Sequence, residues 1–516
     1  MQPFRVALCQ LQAHDLADAE LAYSEIAAAL DEAGSAGAQL VCLPECSYPA
    51  YYLGDAEPYA RPGVRPYADV LDLLARAAKR HRYWIAAGLA VPHADGTLTN
   101  SGVVIGPDGE QRGQYDKSFL WHFDSIWFQR GQTFPVFEAE FAKFGILICA
   151  DGRIPEIARL LALGGAEVIV DLTAWVSGGP SVSQLMNVQC EYMMPIRAYE
   201  NATWVVAADK WGSEDGTIIY AGRSSVFDPR GVTRFCGPSD SGGVLTFEIE
   251  PMSSDPVQRR PALYGTLTAP VASLPVTAML EEALVPAREE RRIAVVPGSD
   301  DFYPRTIIEQ YLALRRQGTD LVVLPGMIAA EGWQVYLAEI EAAVRLNGGA
   351  LVFGVDAGAC SRWRSSVVIT PESTHEHVAA HGRGLYLGET MAPVIKTCAG
   401  NVGLLCGDEM FVPEVARALA LEGAEYLAWS LFEPHPHAIR AARTRGDENG
   451  VYVAAAWPGG GAIAAPSGAL LTQVPEGAKV AMSAQVNRTF TRMKDRAPGT
   501  NVMLDRHPEL YGALTR

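Results

Sequence analysis

The sequence predicts an α/β protein made of two homologous domains in tandem. Its 516 residues exceed the roughly 250–300 residues beyond which a single hydrophobic core stops growing. Short apolar runs of strand length alternate with amphipathic stretches of helical spacing, which is typical of layered α/β folds. In addition, the second half of the chain repeats motifs of the first half in the same order, as expected after duplication of a domain.

The elements of the first half are bounded by recognisable start and stop signals. Pro155 stands in the first turn of a predicted helix, and Gly164 and Gly165 follow its end, which is the usual placement of Pro and Gly at helix termini. Apolar runs bounded by turn residues predict the strands. In chain order, we predict a strand at 6–8, a helix at 16–33, a strand at 40–43, a helix at 69–82, strands at 84–90 and 144–149, a helix at 155–163, and strands at 168–172 and 204–208.

The internal repeat sets the predicted domain boundaries. Residues 259–268 and 506–515 share the pattern R-x-P-x-L-Y-G-x-L-T. Working backwards from these copies aligns further pairs, namely Glu200-Asn201 with Glu448-Asn449, Pro155-Glu156 with Pro413-Glu414, the strand ending at Cys149 with the strand ending at Cys406, and residues 6–8 with 293–295. We therefore predict domains at 1–268 and 291–516, joined by a linker at 269–290 that is rich in Ala and Pro.

Composition argues against several functional classes. The 42 basic and 59 acidic residues give a net charge of −17, and no Lys/Arg cluster accompanies it, so a nucleic-acid partner is not expected. Nine cysteines at irregular spacing argue against a disulfide framework and for a reducing compartment. The N-terminus does not resemble a signal peptide, and no apolar stretch reaches the roughly 20 residues of a membrane span. We expect a soluble, cytoplasmic protein that acts on a small molecule.

Three reactive side chains follow predicted strand ends in the first half. Glu45 supplies a carboxylate, Lys117 an ammonium and Cys149 a thiol, and the loops after strands commonly carry function. A carboxylate can take the proton of a thiol and later activate water. An ammonium and a backbone N–H, such as that of Ala150, can stabilise an oxyanion. Together these groups suit acyl transfer by a nucleophilic cysteine.

The sequence blocks around these residues resemble those of the nitrilase superfamily, the carbon–nitrogen hydrolases. The resemblance extends over almost the whole first half and is carried by Leu43-Pro44-Glu45, Asp116-Lys117, the run from Ile148 to Glu156, Trp175, Arg197-Ala198-Tyr199-Glu200-Asn201 and Gly222-Arg223-Ser224-Ser225. It implies an αββα sandwich for each domain, with the two copies pairing as an intrachain αββααββα pseudo-dimer. It also implies Glu45 as general base, Lys117 as oxyanion partner and Cys149 as nucleophile, with no metal or organic cofactor.

Asp124 is a departure from the family pattern. Family members often carry a second glutamate near the lysine, and Asp124 stands in that place with a side chain one methylene shorter. We include Asp124 among the candidate catalytic residues because its carboxylate could position Lys117 or the leaving amine. The alternative is an ordinary solvated aspartate in a loop.

The second half lacks most of these groups. Leu324-Pro325-Gly326 replaces the glutamate block, the lysine position falls near His381 when counted from Pro371, and Cys406 remains at the end of its strand. A thiol without a base or a cation should be inert, so we predict a degenerate, non-catalytic copy in which Cys406 is a small buried core residue. The functional alternative is that this half shapes the pocket of the first, as a partner subunit would. Further pairing into a homo-oligomer also stays open.

The residues after the nucleophile favour an amide substrate. Nitrilases usually continue with Trp-Glu, whereas this chain has Ala150-Asp151 followed by Arg153, which resembles the amidase and carbamoylase branches. We therefore predict hydrolysis of a small linear amide through a thioester acyl-enzyme, with release of ammonia or an amine. The alternatives are an N-carbamoyl amino acid or amine hydrolase, a nitrilase, and a non-catalytic scaffold.

Aromatic and basic side chains near the three blocks predict the substrate pocket. Arg153 could receive a substrate carboxylate, or it could pair with a structural carboxylate at the start of the helix. Tyr51, His122 and Trp175 are candidate substrate contacts beside Ala150, and core packing is the alternative for each aromatic residue. The same region also holds Tyr48, Tyr52, Trp121, Phe123, Trp127, Phe128 and Trp211.

Overall fold

The chain folds into two compact units over the residues that the computed structural model describes, which are 1–54, 57–178, 185–282, 289–298, 303–329, 333–356, 363–382, 387–475 and 477–516. The first unit comprises Met1–Pro256 together with Ala497–Thr500, and the second comprises Val257–Arg496 together with Asn501–Arg516. The repeat end at 259–268 therefore belongs to the second unit, where Arg259 donates to Glu414 Oε1 at 2.8 Å.

The first unit alternates strands and helices in the predicted order. Its described strands are β1 (Phe4–Gln10), β2 (Leu40–Tyr48), β3 (Trp84–Pro92), β4 (Leu98–Ile105), β5 (Gln111–Asp116), β6 (Phe128–Gln129), β7 (Val136–Glu138), β8 (Lys143–Ile148), β9 (Val168–Leu172), β10 (Trp204–Ala208), β11 (Trp211–Glu214), β12 (Ile218–Ala221), β13 (Ser225–Phe227), β14 (Thr233–Cys236) and β15 (Gly243–Ile249). Its described α-helices are α1 (Ala19–Ser35), α2 (Tyr67–His81), α3 (Asp124–Trp127), α4 (Pro155–Leu163) and α5 (Met194–Asn201). A 3-10 turn at Cys149–Arg153 precedes α4, and a π-helical turn at Gln189–Met193 runs into α5.

Two sheets form the framework of the first unit. One has the strand order β15-β1-β2-β3-β4-β5, with β6 beside β4, and the other has the order β14-β13-β10-β9-β8-β7. Strands β1, β2 and β3 run parallel in the first sheet, and β8, β9 and β10 run parallel in the second. The carboxyl ends of parallel strands gather at one edge of a sheet, which is where sites form in open α/β proteins.

The two sheets pack face to face and carry helices on their outer faces. Successive side chains of a strand point to opposite faces, so Leu40 of β2 enters a core shared with the second sheet, whereas Val41 enters an outer core with α1 and α2. On the opposite side of the sandwich, Leu161 of α4 packs against Gly145 of β8. The first unit is thus an αββα sandwich, as the resemblance implies.

The second half of the chain repeats this arrangement. Its described strands are β16 (Glu290–Val295), β17 (Leu321–Ile328), β18 (Ala350–Asp356), β19 (Arg364–Ile369), β20 (Thr374–Val378), β21 (Val394–Lys396), β22 (Asn401–Cys406), β23 (Tyr426–Ser430), β24 (Tyr452–Trp457), β25 (Gly460–Ala464), β26 (Leu470–Gln473), β27 (Met482–Asn487), β28 (Asp495–Ala497) and β29 (Thr500–Asn501). Its described α-helices are α6 (Pro275–Glu281), α7 (Pro304–Arg315), α8 (Leu337–Asn347), α9 (Pro413–Leu421) and α10 (Ala438–Asn449).

The second unit has the same layers as the first. Its sheets have the strand orders β20-β19-β18-β17-β16-β27 and β21-β22-β23-β24-β25-β26. Ile307 of α7 and Ile340 of α8 share a core with the first of these sheets, and Leu419 of α9 packs against Gly403 of β22 in the second. The prediction of two αββα domains in tandem is confirmed, and their pairing into an eight-layer pseudo-dimer stays a prediction.

The predicted linker at 269–290 contains helix α6, while residues 283–288 of it lie outside the described residues. None of the helices within the described ranges combines the length and the apolar character that a bilayer span requires. Among the same residues, no group of three or more His, Cys, Asp or Glu side chains is arranged to hold a metal ion.

Candidate active site

Glu45 lies in an irregular stretch of β2. The register between β2 and β3 is broken between Leu43 and Tyr48. There the backbone of β2 passes so close to Gly88 of β3 that an added Cβ at Gly88 would lie 2.2 Å from the Pro44 carbonyl oxygen. A glycine in a strand commonly marks such a close approach of two backbones. The Glu45 side chain is fully buried, so its carboxylate lies in the interior of the unit.

Lys117 brings two carboxylates together. Its backbone N–H donates to the Asn100 carbonyl at 2.8 Å, which fixes the residue directly after β5. Its Nζ donates to Glu45 Oε1 at 2.7 Å and lies 2.6 Å from Asp124 Oδ2. The side-chain amide of Asn100 donates to the same oxygen of Glu45 at 2.7 Å. All three charged side chains are buried, and buried charges are stable only when they are paired in this way.

Asp124 is the second carboxylate of this group. It begins α3, and its Oδ2 also accepts the backbone N–H of Trp121 at 2.8 Å. The side chain is fully buried, so the alternative of a solvated loop aspartate is wrong. Asp124 therefore pairs with Lys117 from α3, a helix that begins only a few residues after the lysine.

Cys149 stands between β8 and the 3-10 turn. Its φ is +47°, in the left-handed region that is costly for a residue with a side chain. Its backbone N–H donates to Asp171 Oδ1 at 2.9 Å, and its carbonyl accepts from Gln189 Nε2 at 2.7 Å. The two hydrogen bonds hold the residue in this conformation, and such conformations persist where surrounding structure fixes them.

A buried aspartate connects the Cys149 turn to the lysine segment. Asp151 Oδ2 accepts the backbone N–H at the end of β8 at 3.0 Å and the hydroxyl of Tyr115 at 2.8 Å. Its other oxygen accepts the backbone N–H of Phe119 at 2.8 Å. Tyr115 lies two residues before Lys117 in the chain, and Phe119 lies two residues after it. These hydrogen bonds therefore fix the turn that begins at Cys149 relative to the lysine. Burial raises the pKa of Asp151 to about 6.

Burial and neighbouring charges set the protonation of the three central groups. Burial raises the pKa of Glu45, and Asp124 raises it further, although Lys117 and Asn100 favour the charged form. Burial opposes the charged form of Lys117, but the two carboxylates outweigh it and raise its pKa well above the usual value. Burial and the charge of Glu45 raise the pKa of Cys149, against the attraction of Lys117. The site thus combines a neutral thiol, a charged lysine and a carboxylate of increased proton affinity.

A small cavity of ≈ 50 Å³ lies beside Cys149. Its lining, among the described residues, consists of Tyr51, Trp121, Cys149, Ala150, Arg153, Ala174, Val176, Asn187 and Gln189. The Cζ atom of Arg153 lies 4.7 Å from the centre of the Trp121 ring, which is a favourable cation–π distance. Because Cys149 is part of the lining, a group that enters the cavity can reach this residue.

The lining includes three of the predicted substrate contacts, which are Tyr51, Ala150 and Arg153. Trp175 is fully buried, and the backbone N–H of His122 donates to Thr500 Oγ1 at 2.8 Å. Neither of these two residues is among the described lining residues. As substrate contacts, Trp175 and His122 stay predictions.

Sequence reasoning missed the polar groups that hold the site together. Asn100, Asp151, Asp171 and Gln189 are all buried, and each one bonds to Glu45, to Cys149 or to the backbone beside them. A usable signal was present for Asp171, which interrupts the apolar run of β9. A polar residue inside a buried strand needs a hydrogen-bond partner. For Asp171 that partner is the backbone N–H of Cys149.

The second half has a glycine at the position of the nucleophile. The N–H of Ile148 in the first half and the N–H of Cys406 in the second each donate, at 3.0 Å, to an acidic side chain three residues later. The next residue has a positive φ in both copies, +47° at Cys149 and +57° at Gly407. Cys406 therefore corresponds to Ile148, and its predicted pairing with Cys149 is wrong by one residue.

The lysine position of the second half also differs from the prediction. The N–H of Lys117 donates to the carbonyl of Asn100, and the N–H of Ala379 donates to the carbonyl of Arg364, both at 2.8 Å. Ala379 therefore occupies the position of Lys117, and the prediction of His381 is wrong by two residues. The count from Pro371 fails because the turn between the last two strands of this sheet differs in length between the copies.

An aromatic ring fills the corresponding space in the second half. Phe432 takes the place of Ala174, because the residue before each of them donates its N–H to the neighbouring strand at 2.9 Å. A Cβ added to Gly326, which follows Leu324-Pro325, would lie 2.3 Å from the Phe432 ring, and one added to Gly407 would lie 3.7 Å from it. Where the first unit has a cavity, the second unit has a packed phenylalanine.

The buried Glu45–Lys117 pair and the strand-end cysteine, set in a two-sheet sandwich, are the features of a cysteine hydrolase of the αββα fold. The carbon–nitrogen hydrolase family model matches residues 5–258 and 305–493. The chain belongs to the carbon–nitrogen hydrolase family, with one match in each repeat, and it is an enzyme of that family.

Similar proteins include both nitrilases and amidases. A nitrilase from Pyrococcus abyssi is 35% identical over 210 residues, which cover 40% of this chain and 75% of that protein. An omega-amidase from Bos taurus is 30% identical over 244 residues, which cover 45% of this chain and 83% of that protein. Among solved structures, an amidase from Nesterenkonia sp. is similar with 24% identity and a TM-score of 0.43, over 48% of this chain and 90% of that chain.

Proposed function

We propose that this enzyme hydrolyses the C–N bond of a small linear amide by a Cys-Glu-Lys mechanism through a thioester acyl-enzyme. The proposal is carried by Lys117, whose Nζ lies 2.7 Å from Glu45 Oε1 and 2.6 Å from Asp124 Oδ2. Burial and the charge of Glu45 raise the pKa of the Cys149 thiol, and the charge of Lys117 lowers it, so both charges act on the thiol. Nucleophile, base and oxyanion partner all come from the chain itself, so we propose a reaction without a metal or an organic cofactor.

The first half-reaction forms the thioester. Glu45 takes the proton of the Cys149 thiol, and the raised pKa of this carboxyl favours the transfer. The sulfur attacks the amide carbon, and the carbonyl electrons move to the oxygen, where Lys117 and the N–H of Ala150 stabilise the negative charge. The C–N bond then breaks, and Glu45 gives its proton to the leaving nitrogen. Ammonia or an amine departs, and the acyl group remains on sulfur.

The second half-reaction restores the free enzyme. Glu45 accepts a proton from a water molecule, and the oxygen of that water molecule attacks the thioester carbon. The same oxyanion partners stabilise the second tetrahedral intermediate. The C–S bond breaks, the sulfur of Cys149 receives the proton held by Glu45, and the carboxylic acid is released.

Asp124 has a distinct part in this cycle. Each half-reaction passes through a state in which Glu45 is protonated and therefore neutral. Lys117 would then be a buried cation without a charged partner, which is costly in a protein interior. Asp124 Oδ2 lies 2.6 Å from Nζ and, against the effect of burial, raises the pKa of Lys117. We assign Asp124 as the residue that keeps Lys117 charged and in place.

The lining of the cavity supports a small substrate. Tyr51 and Ala150 line the same cavity as Cys149, so a substrate carbonyl group bound there would lie beside all three residues. Arg153 stacks on Trp121 at the wall of the same cavity and could receive a substrate carboxylate. This observation favours N-carbamoyl amino acids as a second candidate substrate class, since they carry both a carboxylate and a terminal amide.

Purified full-length enzyme assayed with short aliphatic amides, N-carbamoyl amino acids and the matching nitriles tests the proposal. We expect ammonia release from the amides and a loss of at least about 10³-fold in kcat/KM for Cys149→Ser. Cys398→Ser, which alters an exposed thiol of the second unit, is the control and should keep full activity.

Other outcomes would change the assignment. Carbon dioxide release from N-carbamoyl amino acids without amide turnover would make the enzyme a carbamoylase, and turnover of nitriles alone would make it a nitrilase. A scaffold function would follow from two results together. These are the absence of turnover and alkylation of Cys149 by iodoacetamide no faster than that of Cys406, which is buried in the second unit.

We further propose a cytoplasmic enzyme with a small-molecule substrate and a non-catalytic second domain. The residues at the three equivalent positions of the second domain, Gly326, Ala379 and Gly407, offer neither a base, nor a cation, nor a nucleophile. The free cysteines among the described residues suit a reducing compartment. Size-exclusion chromatography with light scattering would test whether the chain is a monomer or a homo-oligomer.

A further inference from the structure

Two cysteines outside the proposed catalytic group lie side by side in the first unit. Cys236 ends β14 and is exposed, whereas Cys190 lies in the π-helical turn and is only 5% exposed. Cys236 is opposite Ser225 in the register of β13 and β14, and Ser225 Oγ is 3.6 Å from Cys190 Sγ. Both thiols are thus neighbours of the Ser225 side chain. They can therefore approach the S–S distance of about 2.05 Å by small local movements.

The groups around Cys236 and Cys190 shift the pKa values of the two thiols in opposite directions. The hydrogen bond from Cys190 lowers the pKa of Cys236, burial opposes this effect, and bonds from Arg223 and Ser225 lower the pKa further, to about 5. The same hydrogen bond and burial raise the pKa of Cys190 well above its usual value. These shifts favour the thiolate, which is the reactive form, at the exposed cysteine and the neutral thiol at the buried one.

Cys398 provides an internal comparison in the second unit. It is exposed like Cys236, and its Sγ donates to the Asp320 carbonyl at 3.6 Å. Burial of part of the side chain and the charge of Asp320 raise its pKa. Exposure alone thus does not make a cysteine of this chain reactive, and the neighbours of Cys236 distinguish it.

We propose that Cys236 and Cys190 form a thiol oxidation site, in which a hydroperoxide oxidises Cys236 and Cys190 then closes a disulfide. In the first step the thiolate of Cys236 attacks one peroxide oxygen, the O–O bond breaks, and a sulfenic acid and hydroxide form. In the second step the sulfur of Cys190 attacks the sulfenic sulfur, and an S–S bond forms with loss of water. The peroxide is reduced, and the two sulfur atoms are oxidised by two electrons in total.

The position of Cys190 connects this site to the nucleophile turn. The preceding residue, Gln189, donates to the carbonyl oxygen of Cys149 at 2.7 Å. The following residue, Glu191, forms an ion pair with Arg223. A disulfide would therefore attach the turn that holds the Cys149 backbone covalently to the exposed strand β14.

Peptide mapping of the full-length protein after treatment with hydrogen peroxide tests the proposal. We expect a linked Cys190–Cys236 peptide that disappears on reduction with dithiothreitol. In Cys190→Ser, where the second step cannot occur, dimedone should trap a sulfenic acid at Cys236. In Cys236→Ser, Cys190 should stay unmodified because its side chain is buried. Oxidation of Cys236 no faster than that of Cys398, or sulfenic acid at Cys236 that never yields the linked peptide, would overturn the proposal.

The role of Arg223 can be tested separately by the rate of iodoacetamide labelling at each cysteine. In the unmodified chain, labelling of Cys236 should already be close to its plateau at pH 7, whereas labelling of Cys398 should still rise with pH. Arg223→Gln should slow labelling of Cys236 at pH 6 by about twofold, which corresponds to a rise of about one unit from its pKa of about 5. Arg223→Lys should restore much of the rate. Equal pH profiles for Cys236 and Cys398 would contradict the thiolate on which the proposal depends.

Discussion

The backbone N–H of His122 donates to the hydroxyl oxygen of Thr500 at 2.8 Å, although the two residues are 378 positions apart in the chain. Thr500 belongs to the short segment 497–500, which is part of the first compact unit. His122 has a φ of +45°, and it follows Trp121 of the cavity wall and precedes Asp124, the partner of Lys117. A segment near the C-terminus thus supports the loop that carries one wall and one carboxylate of the candidate site.

Thr500→Val should weaken catalysis more than stability. A single neutral hydrogen bond contributes about 0.5–1.5 kcal/mol, so we expect only a small fall in the free energy of unfolding. The loop at 121–124 loses its support, and we expect kcat/KM to fall by about threefold to tenfold, in line with that free energy. Thr500→Ser should restore the activity. Thr266→Val, which removes the exposed bond from Thr266 to Glu422, serves as the control, and equal activities of the two valine variants would contradict a supporting role.

Asp124→Asn keeps the shape of the side chain but removes a negative charge 2.6 Å from Lys117 Nζ. We expect kcat to fall by about 10²-fold, because the lysine loses one of its two carboxylate partners. The charge of Asp124 also raises the pKa of Glu45, so the acid limb of kcat/KM should move to lower pH. Asp95→Asn, in an exposed loop, is the matched control. A variant with normal kcat and an unshifted acid limb would show that Asp124 acts in folding alone.

The pH profile of the enzyme should report the raised pKa of Glu45. Only the ionised carboxylate can accept the thiol proton, so kcat/KM should rise with pH through this raised pKa rather than through the ordinary glutamate value of about 4.3. The raised pKa of Lys117 keeps the ammonium charged, so it should cause no loss of activity below about pH 10. Initial rates over this range, with stability checked at each pH, give the measurement. An acid limb at or below about pH 4 would rule out Glu45 as a buried base.

Because the Phe432 ring packs against Gly326, we expect substitutions of these two residues to have coupled effects on the free energy of unfolding. Gly326→Ala places a methyl group 2.3 Å from the Phe432 ring and should lower the free energy of unfolding by about 1–3 kcal/mol. In a Phe432→Ala background the same change should cost much less, since the space is empty. Urea unfolding of the single and double variants measures this coupling. Strictly additive effects would mean that the ring moves aside without cost.

Local patterns in the sequence predicted the layers, and the blocks that resemble the nitrilase superfamily indicated Glu45, Lys117 and Cys149 as the central residues. Apolar runs such as residues 40–43 and 168–172 became buried strands, because a run of this composition has no other stable place in a folded chain. Lys117 directly follows β5 and Cys149 directly follows β8, whereas Glu45 lies at the register break inside β2. These features depend on near neighbours in the chain, which is why they could be predicted.

The errors and omissions have a common physical cause. Both repeats have a cysteine at the end of an apolar run, and this shared residue type concealed an offset of one position that only the hydrogen bonds of Ile148 and Cys406 reveal. Asn100 and Thr500 act through bonds to residues distant in the chain. Whether a polar side chain meets such a partner depends on the tertiary structure, and no local pattern encodes it.

The packed ring of Phe432 bears on the number of reactive sites in each polypeptide. A Glu-Lys-Cys group in the duplicate would require replacement of Gly326, Ala379 and Gly407 and removal of the Phe432 ring that lies against the two glycines. An irreversible inhibitor that forms a stable bond with the catalytic sulfur should titrate as one equivalent per polypeptide, even though the fold is present twice.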